Sequence, residues 1–189
     1  MGLILAVLKP LEVLNVTLLT IARWLATALL AVMVLIITYQ IIMRVISPAG
    51  WTIAAAKFMM LWMIGLAAPI GYRQGGFVGI DMLERALPRV LSHLLTLTIL
   101  VLCGIVVFLG VQLGHAEINS FGGKGTIPNF RIELSWAGLK DFQVRNWHAF
   151  FSLYLGFCLM LLVNVELILR HIVKMMGGAD RLNQIEGAS

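Results

Sequence analysis

Long apolar runs, separated by short charged segments, dominate the pattern of this chain. A helix needs about 20 apolar residues to cross the hydrocarbon core of a bilayer. The run between Lys57 and Arg73 reaches that length only if the helix starts near Trp51 and the lysine stem extends to the membrane surface. The pattern predicts an all-α membrane protein with four transmembrane helices, at about 24–46, 51–73, 90–114 and 147–170.

Aromatic and proline residues mark the ends of these spans. Trp24, Trp51 and Trp147 open spans one, two and four, where indole rings favour the interface, and Pro48 and Pro88 separate helices.

Three connecting segments carry expectations of their own. Leu3–Ile21 is apolar but contains Lys9 and Glu12, so we expect an interfacial helix there, with an extension of span one as the alternative. We expect a short amphipathic helix at Val78–Leu87, between spans two and three. The loop 115–146 is expected to lie outside the cell and to fold locally.

Composition supports lipid as the solvent. Of 189 residues, 60% are hydrophobic and 12% are charged, whereas soluble domains have about a quarter charged. This predicts one integral membrane domain, residues 1–189, with lipids around it. The formal charge of +5 is spread beside the spans, so a nucleic-acid partner is not expected. The distribution of Lys and Arg favours cytoplasmic termini, and no cleaved signal peptide is expected.

The four histidines suggest one alternative function, a membrane cytochrome b-type subunit. His115 and His148 fall at one end of spans three and four, and His93 and His171 at the other. However, the number of residues between the two histidines of each span puts the two pairs on the order of 34 Å apart along the helices, at or beyond the interfaces. Interfacial histidines are therefore the preferred interpretation.

Other polar groups also favour structural roles. Glu166 and Arg170 are interpreted as a local ion pair, with a proton or ion relay as the alternative. Asn164 and Gln40 are expected to hydrogen-bond between helices. Gly110 with Gly114 in span three, and Ala67 with Gly71 in span two, are expected to allow close helix contact. No catalytic residue set, metal cluster or cofactor site is visible, so we do not expect an enzyme. A small stand-alone transporter remains a second alternative.

The stretch Trp51–Asp81, WTIAAAKFMMLWMIGLAAPIGYRQGGFVGID, resembles the small membrane subunit of tripartite ATP-independent periplasmic (TRAP) transporters. The last span, LYLGFCLMLL, is also similar to that family. Two places depart from its pattern: Ile53 and Ala54 replace an acidic pair, and Phe77 replaces a histidine. The matching positions are Trp51, Lys57, Trp62, Gly65, Arg73, Gly76, Ile80 and Asp81.

The resemblance implies a subunit of the bacterial inner membrane that braces a large permease subunit. Sodium coupling and the solute site are expected on that large subunit, and a periplasmic binding protein is expected to deliver an organic acid. Residues expected at the partner interface or in structural roles are Trp51, Lys57, Trp62, Arg73, Gly76, Asp81 and Arg85. Within this set, Arg73 is expected to pair with Asp81, and Asp81 with Arg85 one helical turn away.

Overall fold

Four long helices carry the fold. The computed structural model describes residues 2–43, 51–74, 89–120, 124–132 and 142–176. The elements, in chain order, are α1 (Gly2–Met43), α2 (Trp51–Arg73), α3 (Arg89–Asn119), β1 (Thr126–Ile132), β2 (Phe142–Arg145) and α4 (Asn146–Met175). Within these ranges, all four helices are long and apolar enough to cross a membrane. The prediction of an all-α membrane protein with four transmembrane helices is confirmed.

Helix α1 differs from the sequence expectation. It runs without interruption from Gly2 to Met43 and passes through Pro10, so the N-terminal segment is the extension of span one and not a separate interfacial helix. The polar residues of this segment suggested a helix at the membrane surface. Asn15, however, is buried in the bundle and donates a hydrogen bond to Glu166, so the helix continues. The expected helix Val78–Leu87 lies outside the described residues.

A very close helix crossing joins α2 to α4 through two glycines. A Cβ added to Gly65 would come 2.6 Å from the carbonyl oxygen of Ser152, and one added to Gly156 would come 2.6 Å from the oxygen of Gly65. Only glycine fits at this distance, since real Cβ atoms stay farther from backbone oxygens. The two backbones therefore touch, as small residues permit in membrane helices.

Helix α3 packs on the other side of α4, and its glycines receive aromatic side chains. Gly110 faces the ring of Phe157, and Gly114 faces Tyr154. The expected role of these two glycines in close helix contact is confirmed. The same expectation for Gly71 of α2 is not confirmed among the described residues, because nothing lies within 4 Å of the place where its Cβ would stand.

Two short strands close one end of the bundle, inside the loop that was expected to fold locally. β1 and β2 pair antiparallel, with Ile132 opposite Phe142. Val144 of β2 is buried against Ala55 of α2, and Ile36 of α1 packs on the same cluster. The strands thus rest on the α1–α2 end that is opposite the polar site described next.

Candidate functional site: a buried ion network

A single carboxylate, that of Glu166, lies at the centre of a polar network between three helices. Its side chain is 0% exposed. Arg73, the last residue of α2, donates from Nη2 to Oε1 at 2.9 Å and from Nε to Oε2 at 3.2 Å. Asn15 of α1 donates to Oε2 at 2.6 Å, and Arg170, one turn along α4, donates from Nε to Oε1 at 2.9 Å.

These four donors fill the accepting capacity of the Glu166 carboxylate, which is about two hydrogen bonds for each oxygen. Little accepting capacity is therefore left for a solute or a coupling ion. The expected local pair between Glu166 and Arg170 is confirmed, but it is one part of a larger contact between helices.

A second carboxylate balances the charge. Arg170 contacts Oε1 of Glu12 through Nη2 at 3.0 Å, and the two side chains are 9% and 15% exposed. The two arginines, Arg73 and Arg170, then face the two glutamates, Glu12 and Glu166, so the cluster is neutral. Buried ions need this kind of pairing because desolvating an unpaired charge costs several kcal/mol. The cluster fastens α1 and α2 to α4 near the end of the apolar zone.

Asn164 forms a second polar contact on a different face of α4. Its amide nitrogen donates to the hydroxyl of Tyr72 on α2, and to the carbonyl oxygen of Leu100 on α3 at 3.1 Å. The site needs glycine at position 104, where a Cβ would stand 2.9 Å from the Asn164 oxygen. The expected interhelical hydrogen bond of Asn164 is confirmed. It attaches α3 to α4, and so to the three helices that Glu166 joins.

The four histidines contact one another or neighbouring aromatic rings. His93 and His171 meet edge to face with ring centroids 5.4 Å apart, and Nε2 of His171 lies 3.0 Å from the backbone oxygen of His93. Bis-histidine ligation needs two ring nitrogens facing each other across an iron. At the other end, His148 stacks on Trp147, and His115 packs beside Tyr154.

The aromatic residues predicted at the site lie away from the ion network. Trp51 is 42% exposed and packs beside Tyr39 of α1. Trp62 packs between Phe58 and Phe151, and its buried indole nitrogen has no hydrogen-bond partner among the described residues.

The charged residues and the one glycine of the same predicted set have different outcomes. Lys57 is exposed on α2. Gly76, Asp81 and Arg85 lie outside the described residues, so the Asp81 pairs stay predictions. Within the described part of the chain, Arg73 pairs with Glu166.

Sequence reasoning missed the contribution of α1 to this site. Glu12 and Asn15 lie one turn apart on one helix face, and that spacing, in an otherwise apolar helix, was the available signal. Their partners on α4 are about 150 residues away in the chain, as in the Asn15–Glu166 bond with a separation of 151. No local pattern indicates such a pair.

Comparison with known proteins identifies a family whose model matches most of the chain. The model of the family described as tripartite ATP-independent periplasmic transporters, DctQ component, matches residues 33–174, three quarters of the chain. The chain is also 24% identical over 121 residues to the C4-dicarboxylate TRAP transporter small permease protein DctQ of Pseudomonas aeruginosa. That match covers 64% of this chain and 53% of the relative, so the chain spans about half the length of the curated protein that it matches.

Proposed function

Because the chain belongs to the family of DctQ components of TRAP transporters, we propose that it is a small membrane subunit that braces the large permease subunit of such a transporter. It is a multi-pass protein of the bacterial inner membrane. Its family is one of transporter components, which indicates a role in transport and not in catalysis.

The observation that supports a bracing role is the saturated carboxylate of Glu166. The buried polar groups around it are used in contacts between helices, as are the hydrogen bonds of Asn164. A secondary transporter binds its solute and ions at polar groups near the membrane midplane. Here the polar groups lock α1, α2, α3 and α4 together, which suits a rigid support for a moving partner.

In this proposal the large subunit carries the solute and sodium sites, and a periplasmic binding protein delivers the solute. Uptake is then sodium-driven symport. The name of the Pseudomonas relative favours an organic acid with two carboxylates as the solute.

Co-expression with the large permease subunit tests the assembly. We expect an affinity tag on this chain to recover the large subunit in mild detergent in a fixed ratio. We expect proteoliposomes with both subunits and the binding protein to take up a radiolabelled C4-dicarboxylate under an inward sodium gradient. Omission of this chain is expected to abolish uptake.

Two results would overturn the proposal. Uptake by proteoliposomes that contain this chain alone would make it a stand-alone transporter. A haem absorbance spectrum from the chain purified alone would support the cytochrome interpretation instead.

A further inference from the structure

One arginine of α1, Arg23, lies at mid-height of the bundle. Its neighbour Ala22 belongs to a core cluster against which Leu155 and Leu159 pack, and both leucines fall near the middle of the uncharged run 146–165 of α4. Arg23 follows the ion-network residue Asn15 by eight residues, so its Cα lies about 12 Å deeper in the apolar zone.

The side chain of Arg23 faces away from the bundle. It is exposed, and the described part of the chain places no carboxylate within salt-bridge distance of its guanidinium. A charged residue inside a membrane span almost always pairs with another group or faces a watery cavity. We therefore expect the guanidinium of Arg23 to pair with an anionic group that the described residues of this chain do not supply.

The residues along α1 on the side of Arg23 form a continuous exposed stripe. Its members alternate at spacings of four and three, as in a helix that packs lengthwise on another helix. These residues, called the Arg23 stripe, are Val16, Thr20, Arg23, Thr27, Leu30 and Val34.

Two threonines make the Arg23 stripe suitable for close helix contact. Thr20 donates its hydroxyl to the carbonyl oxygen of Val16 at 2.7 Å, and Thr27 donates to that of Arg23 at 2.9 Å. Both side chains are short, and their donors are satisfied within α1. Small residues of this kind are enriched where membrane helices meet.

We propose that the Arg23 stripe is the docking surface for a helix of the large permease subunit, and that this helix carries a carboxylate that pairs with Arg23. This inference rests on the proposed function, which supplies the partner. The charge of Arg23 selects an acidic partner helix over plain lipid contact, because hydrocarbon offers no acceptor for a guanidinium. The main competing occupant is a lipid phosphate, since side chains on a helix point toward its N-terminus and could carry the guanidinium toward the surface near Asn15.

Site-specific photo-cross-linking in membranes distinguishes these occupants. A photoreactive amino acid is placed at Thr20 or Thr27, and at the matched positions Ile21 and Ala28, which are also exposed and lie at similar depth but face another direction. Adducts with the large subunit are expected at 20 and 27 and not at 21 and 28. Lipid adducts alone, or a dimer of this chain, would overturn the proposal.

Substitution of Arg23 tests the charge pair. Arg23→Gln is expected to lower recovery of the large subunit about tenfold or more, and Arg23→Lys is expected to retain most of it. Arg145→Gln, at an exposed arginine beside the first residue of α4, serves as the control and is expected to change nothing. The amount and helicity of each purified variant show whether it is folded.

The outcomes also separate this inference from the proposed function. If the unmodified chain fails to recover the large subunit, the proposed function is wrong. If the unmodified chain and a folded Arg23→Gln variant recover it equally, only the docking surface is wrong.

Discussion

At the scale of single residues, we expect Glu166 to have a large influence on stability, because its buried carboxylate joins three helices. Removing its carboxylate would leave Arg73 without its partner, and Glu12 alone would face two largely buried arginines. We expect Glu166→Ala to lower the free energy of unfolding by about 3–5 kcal/mol, the usual effect of breaking a buried ion pair from one side. Unfolding in mixed detergent micelles, followed by circular dichroism, measures this change.

A matched acidic residue and a double variant make the comparison sharp. Glu117→Ala, on the exposed end of α3, is expected to stay within about 0.5 kcal/mol of the unmodified protein. Joining Arg73→Gln to Glu166→Gln is expected to cost less than the sum of the single changes, because the remaining charges balance again. Simple additivity would show that Arg73 and Glu166 do not interact in the folded protein.

Two glycines of α2 give a second prediction at this scale. Gly65→Ala places a methyl group against the backbone of Ser152, so we expect a loss of about 1–3 kcal/mol through overpacking. Gly71→Ala is the control in the same helix, since its methyl group would meet nothing within 4 Å. The same unfolding measurement applies. Equal effects of the two variants would contradict the close crossing of α2 and α4.

At the scale of elements, hydropathy predicted the four helices but not the full length of the first one, which begins at Gly2. The predicted bounds of span two, 51–73, are those of α2, because a Trp and an Arg mark its ends. Span one was predicted at 24–46 because Arg23 was interpreted as a boundary, whereas the structure packs the neighbouring Ala22 and Ala26 in the middle of the bundle. An uncharged run between two charged residues locates a span only when both of those residues lie at the ends of the helix.

The ion network shows a different limit of sequence reasoning. The Glu166–Arg170 pair follows from helical spacing, so it could be predicted. The pairing of Arg73 with Glu166 spans 93 residues, and it depends on how α2 and α4 are rotated and shifted against each other. That arrangement is set by Gly65 and Gly156, whose contact is visible only in three dimensions.

Asn15 is expected to hold the N-terminal half of α1 against α4. Its amide bonds both Glu166 and the backbone oxygen of Leu162, and Asn15→Leu removes both bonds. A spin label at Leu14 should then become more mobile, while a label at Leu35, far along the same helix, should not change. Electron paramagnetic resonance line shapes report both. Equal mobility at Leu14 with and without Asn15 would show that the apolar contacts of α1 are enough to hold it in place.

At the scale of the whole molecule, the two ends of the bundle differ in chemistry. Buried charged and amide groups gather at the end of Glu166, whereas the other end has the two strands and, toward it, the ring cluster around Trp62. If all four helices cross the membrane, Gly2 and Met176, the first and last described residues, lie on the same side of it. The excess of Lys and Arg on the side of the termini predicts that this side is the cytoplasm.

Single-cysteine labelling in intact cells tests this orientation. The two native cysteines, Cys103 and Cys158, are first replaced by Ala, and one cysteine is then introduced at Lys124 or at Met176, both exposed and at opposite ends of the bundle. If the ion network faces the cytoplasm, a maleimide that enters the periplasm but cannot cross the inner membrane labels position 124 in intact cells. Position 176 is then labelled only after the inner membrane is permeabilised. The reverse pattern would place the ion network, and with it the end of α1 that Asn15 fastens, on the periplasmic side.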